Sequence, residues 1–90
     1  MENFFSWFNG VTTTYSDMQI DEDGVAMLYV LLSRFDGKHF DFILMTVPEL
    51  LVIETKGFSD EEIKYWHDYT AKDVKLIWRE AKKKLVKELA

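Results

Sequence analysis

The chain of 90 residues has no cysteine, which excludes a disulfide framework and a thiolate zinc site and fits a reducing compartment, the cytoplasm being the default expectation. It has one proline, Pro48, and four glycines, so it has few built-in breaks and order is expected nearly throughout. No low-complexity tract or internal repeat interrupts it. The longest apolar run, 25–32, falls far short of the roughly 20 residues that span a bilayer, and the start, Met1-Glu2-Asn3-Phe4-Phe5, lacks a basic leader. Neither secretion nor membrane insertion is expected. There is no phosphate-cradling glycine loop, nucleophile elbow or zinc-ligand spacing. Asp21-Glu22-Asp23-Gly24 lacks the alternating ligands and closing glutamate of a calcium loop, so it reads as a solvated turn.

Hydrophobic residues make up 48% of the chain and aromatic residues 16%, enough for a single domain, 1–90, with one thin core. The aromatic load on so short a chain is compatible with a homodimer. Charge is unevenly placed. Residues 1–70 hold 13 acids against Arg34, Lys38, Lys56 and Lys64, whereas 71–90 hold seven bases against three acids. The basic end reads as a solvated helix whose lysines favour its negative terminus. If phosphate is met anywhere, Arg79, Lys82 and Lys83 in this stretch are the candidate contacts.

Residues 2–8, closed by Asn9-Gly10, read as a helix with an Asn or Gly stop. Val11, Thr13 and Tyr15 alternate as a short strand. Two apolar runs, 25–35 and 39–47, flank Asp36-Gly37 and predict a hairpin. With that pair as the loop, Tyr29, Leu31 and Ser33 share a face with Phe40, Phe42 and Leu44. Leu28, Val30 and Leu32 share the other with Asp41, Ile43 and Met45. Both faces are apolar, so something must cover each. Pro48-Glu49 fits a second tight turn, and Leu50-Leu51-Val52-Ile53 opens a third strand running to Lys56-Gly57. Ser59 with Glu62 forms a capping box that starts a helix. Beyond Tyr69 the periodicity is ambiguous. A strand over 73–78 followed by a terminal helix is preferred, the runner-up being one helix over 70–88. The expected class is α/β (α+β), a mixed sheet in the order αβββαβα.

Phe40-Asp41-Phe42, then the apolar run to Glu54-Thr55-Lys56-Gly57, resembles the core of the PD-(D/E)xK nucleases, which carry an aspartate on one strand and an acid-x-lysine closing the next. Phe40 stands where that motif usually has proline. The likeness extends over about residues 28–78 and implies a restriction-endonuclease-like core, phage-type or restriction-type.

Spacing supports a site independently. Glu54 and Lys56 are two apart on a strand and so share a face. A two-residue link at Pro48-Glu49 sets Asp41 opposite Lys56 and Ile43 opposite Glu54, bringing all three side chains to one side; a four-residue link keeps this parity, whereas a three-residue link puts Asp41 on the wrong side. Asp41 and Glu54 would then hold Mg2+, whose bound water Lys56 positions or deprotonates unless it instead stabilises the transition-state charge, for phosphodiester hydrolysis; the resemblance implies DNA as the substrate. Glu2, or less readily Glu22, would supply the further acid common in such enzymes. His39 and His67 read as polar surface, and Trp66 as core.

The bare acid-x-lysine pattern recurs at Glu62, Asp73 and Glu80, so context carries the reading. The rival is a non-catalytic acidic interaction or inhibitor protein of phage or mobile-element type, imitating nucleic acid or docking on a basic protein partner.

Overall fold

The computed structural model describes residues 1–89, which form an antiparallel sheet and one C-terminal helix. The strands are β1 (Asn3–Phe8), β2 (Val11–Tyr15), β3 (Gln19–Ile20), β4 (Ala26–Phe35), β5 (Phe40–Val47) and β6 (Val52–Lys56), followed by α1 (Asp60–Leu89). Five strands lie in the order β1-β2-β4-β5-β6, and β3 pairs with β4 beside this path. The class is therefore α+β, but the order is six strands and then a helix rather than αβββαβα.

Two elements differ from the sequence reading, each for a local reason. Residues 2–8 are not a helix, because Asn9-Gly10 is a hairpin turn. Both residues take positive φ, 51° and 82°, and Phe8 pairs directly with Val11, the geometry of a two-residue primed turn. Residues 73–78 are not a strand but the middle of α1. After Gly57 no glycine or proline remains to stop a helix. Buried or half-buried Ile63, Trp66, Thr70, Val74, Ile77, Ala81 and Leu85 recur at three- and four-residue steps. Leu76, which an alternating strand would turn inward with Val74 and Trp78, is exposed.

The helix starts as its capping box dictates. The Glu62 amide donates to Ser59 Oγ at 3.2 Å, and the Ser59 amide donates to Glu62 Oε1 at 2.9 Å. At 30 residues, α1 extends about 45 Å at 1.5 Å per residue, the whole long dimension of the molecule, 42 Å. Near its far end Lys84 Nζ donates to Asp17 Oδ1 at 2.7 Å and to Asn3 Oδ1 at 3.0 Å, tying the helix to the start of β1. The Asn3 side-chain amide and then Lys84 hold the Asp17 carboxyl below its ordinary range.

The hairpin of β4 and β5 has a four-residue loop, 36–39, not two. Asp36 Oδ1 accepts the amides of Lys38 at 2.8 Å and His39 at 2.6 Å, which rounds the extra residues. The change is even, so the expected faces survive. Leu28, Val30 and Leu32 pair with Val47, Met45 and Ile43 and are fully buried. Val11, Thr13 and Tyr15 extend this inner face, and Trp66, Thr70, Ile77 and Ala81 of α1 lie within the same core. Each large apolar side chain buried there contributes about 1.5–3 kcal/mol. The other face of the sheet has no helix over it. No described helix is long and apolar enough to cross a membrane.

Candidate functional site

The position of the candidate site is decided by one residue. Leaving the 48–51 link, β6 begins in the expected parity, with Met45 opposite Val52. The register then shifts at Ile53, so that Leu44 faces Glu54, Ile43 faces Thr55 and Phe42 faces Lys56. A single extra residue in one strand turns every later side chain to the opposite side. Glu54 and Lys56 therefore stand on the helix-free face with Leu44 and Phe42. Asp41, one position from Phe42, stands on the inner face. The expectation that Asp41, Glu54 and Lys56 share a face is not met: Glu54 and Lys56 remain together, and Asp41 does not join them.

Asp41 has a different partner. It pairs across the hairpin with Arg34, whose Nε donates to Asp41 Oδ2 at 2.9 Å. Arg34 Nη1 reaches Glu62 Oε2 of the capping box at 2.6 Å, Nη2 donates to the Gly57 carbonyl at 3.0 Å, and the guanidinium lies 4.0 Å over the Phe58 ring. One arginine thus joins β4, β5, the residue after β6 and the first turn of α1. Arg34 chiefly, and the Ser59 amide next, hold the Glu62 carboxyl down at about 2. Gly57 follows from the same packing. Its φ is +82°, and a Cβ there would overlap the Asp41 carboxylate. The glycine of the nuclease-like motif is accounted for by this arginine-centred joint, with no role in chemistry required.

The remaining candidates are dispersed. Glu2 precedes β1, and Glu22 lies in the exposed turn that Asp21 closes by accepting the amides of Asp23 and Val25. His39 is spent on Asp36 in the hairpin loop, 3.3 Å away, and His67 Nε2 lies 3.0 Å from the Leu50 carbonyl oxygen. Arg79, Lys82 and Lys83 are exposed on α1, which is packed on the inner side of the sheet, away from Glu54 and Lys56. Among the described residues no group of three or more His, Cys, Asp or Glu is gathered to hold a metal ion.

Compared with known protein families, curated proteins and solved structures, the chain matches none.

The helix-free face is the surface the candidate residues did not point to. Cross-strand pairing sets Phe4, Thr14, Leu31, Leu44 and Glu54 in one row across β1, β2, β4, β5 and β6, and Trp7, Thr12, Ser33, Phe42 and Lys56 in the next. Phe35 and Phe40 form a further pair at the hairpin end. Phe4 is 67% exposed, Trp7 65%, Phe35 67% and Phe40 50%. An antiparallel sheet with one solvated face normally alternates apolar and polar residues. Here Tyr29, Leu31 and Phe35 on β4, and Phe40, Phe42 and Leu44 on β5, break that alternation. The sequence did carry the signal, since both faces of the hairpin read as apolar and only one helix exists to cover them.

Proposed function

We propose that this chain is a non-catalytic interaction module whose helix-free sheet face is the surface a protein partner covers. The observation that carries the reading is four exposed aromatic side chains on a face whose only strand charges are Glu54 and Lys56. Large exposed aromatic side chains gathered on one face of a small domain mark a protein contact. Single-stranded nucleic acid, the other common user of aromatic sheet faces, needs cations beside the stacking platform to meet phosphate. The exposed cations Arg79, Lys82 and Lys83 stand on the helix, behind the sheet.

The acidic-mimic form of this reading has less support, because the helix-free face carries one strand acid, Glu54, and five of the 13 acids in residues 1–70 are engaged within the chain. Asp41 and Glu62 are engaged by Arg34, Asp17 by Lys84, and Asp21 and Asp36 by their own turns. A metal-dependent nuclease would need Asp41 and Glu54 around one ion, and they lie on opposite faces.

The test is incubation of the purified chain with magnesium and linear, branched or single-stranded DNA. No cleavage above a protein-free control is expected. Magnesium-dependent cleavage that disappears in Glu54→Ala, with folding intact, overturns the reading and reinstates the nuclease.

A further inference from the structure

We propose that the partner covering the helix-free face is a second copy of this chain, packed sheet to sheet about a two-fold axis that runs across the strands. The inference rests on the interaction reading above and names its partner.

Three observations lead to it. The first is area. With roughly 200 Å² of surface per aromatic side chain, the exposed parts of Phe4, Trp7, Phe35 and Phe40 alone offer about 500 Å², much of the ~800 Å² that each partner of a stable interface contributes. The half-buried Leu44 and Phe42 lie on the same face.

The second is the state of the sheet edges. An open edge would invite a partner strand, yet both edges are blunted. β1 is irregular at Phe5, and β6 is short, bulged at Ile53 and ends on Lys56. Addition of a partner strand is therefore disfavoured at both edges.

The third is self-complementarity, the requirement of a two-fold contact. An axis passing between the two rows brings each row of one copy over the other row of its partner. Glu54 then meets the position of Lys56, Leu44 that of Phe42, and Phe4 that of Trp7. The two strand charges on the face are of opposite sign and fall opposite one another, and Phe4 falls on Trp7, Phe42 on Leu44 and Phe35 on Tyr29, while Phe40 falls on Thr46 and Leu31 on Ser33. A basic partner would find one strand acid on this face, and an acidic partner one lysine and the N-terminal ammonium at Thr14. Two stacked sheets lie about 10 Å apart, which lets such side chains interdigitate.

Sedimentation of the full chain from low micromolar to about 100 μM tests this, together with its thermal midpoint, which rises with concentration only if folding is coupled to association. Wild type is expected at twice the chain mass, and Trp7→Glu, which alters a side chain exposed in the single chain, at the mass of one chain with an unchanged far-ultraviolet spectrum. Glu54→Lys is expected to weaken association at least about ten-fold by setting like charges together, and Glu54→Lys with Lys56→Glu to restore it. A wild-type chain that stays monomeric throughout overturns the second-copy inference, as does a dimer that survives Trp7→Glu. A Glu54→Lys defect that the double exchange fails to rescue overturns the axis and with it the arrangement. Monomeric behaviour leaves the interaction reading standing with another partner, whereas DNA cleavage removes that reading without touching the mass measurement, so the two failures are separable.

Discussion

Trp66→Ala is expected to lower folding stability by about 3–5 kcal/mol, the range for truncating a large buried aromatic. Trp66 is 4% exposed near the start of α1 and contacts Phe8, Tyr65 and Tyr69 edge to face, with ring centroids 5.0 to 6.3 Å apart. It carries the packing of the first turns of α1 on the inner face and joins them to β1 through Phe8. Alanine would leave a void among the Phe8, Tyr65 and Tyr69 rings. In a domain of this size the total is about 5–15 kcal/mol, so the variant sits near the edge of folding. Urea unfolding followed by circular dichroism gives the difference. A loss under about 1 kcal/mol would mean that Trp66 is not a core anchor.

Arg34→Leu is expected to be the second most costly change, at about 2 kcal/mol, since hydrogen bonds to charged groups contribute about 1.5–3 kcal/mol and this site is partly solvated. Leucine keeps an apolar body against Phe58 but leaves Asp41, Glu62 and the Gly57 carbonyl without their donor.

The change also has a pH signature. Glu62 is held at about 2 in the folded chain, below its unfolded value of about 4.3. A depressed carboxyl adds stability that is complete above the unfolded value and is lost as pH falls toward the folded one. Wild-type stability should therefore decline between about pH 5 and pH 2, and Arg34→Leu should flatten part of that decline. Asp36, held at about 2 by the amides of His39 and Lys38, keeps its share in the variant. Parallel acid-unfolding curves for the two proteins would show that Arg34 does not set the Glu62 carboxyl.

Much of the fold was legible because local chemistry and global packing agree. Alternation about Asp36-Gly37 set the faces of β4 and β5, and even parity protected that result when Asp36 lengthened the loop. Ser59 and Glu62 announced the helix start without ambiguity. Elsewhere one local signal served two structures. Asn9-Gly10 stops a helix and also turns a hairpin, and Val74, Leu76 and Trp78 alternate within a stripe that also has helical period.

The expected shared face of Asp41, Glu54 and Lys56 was lost at a finer point. Leu50-Leu51-Val52-Ile53 is apolar throughout, so it reads the same in either register, and no glycine or proline marks the bulge at Ile53. One residue there separates Glu54 from Asp41. Arg34 was equally hidden, because its pairing with Asp41 follows from a loop of four residues, whereas a loop of two places it opposite His39. The surplus apolar face was legible from the start, and it now carries the functional reading.

Cross-strand nuclear Overhauser contacts between β5 and β6 test that account most directly. Close contacts joining Phe42 to Lys56 and Leu44 to Glu54 are expected, with the irregularity at Ile53. Contacts joining Asp41 to Lys56 and Ile43 to Glu54 would return both acids to one side of the sheet and contradict it.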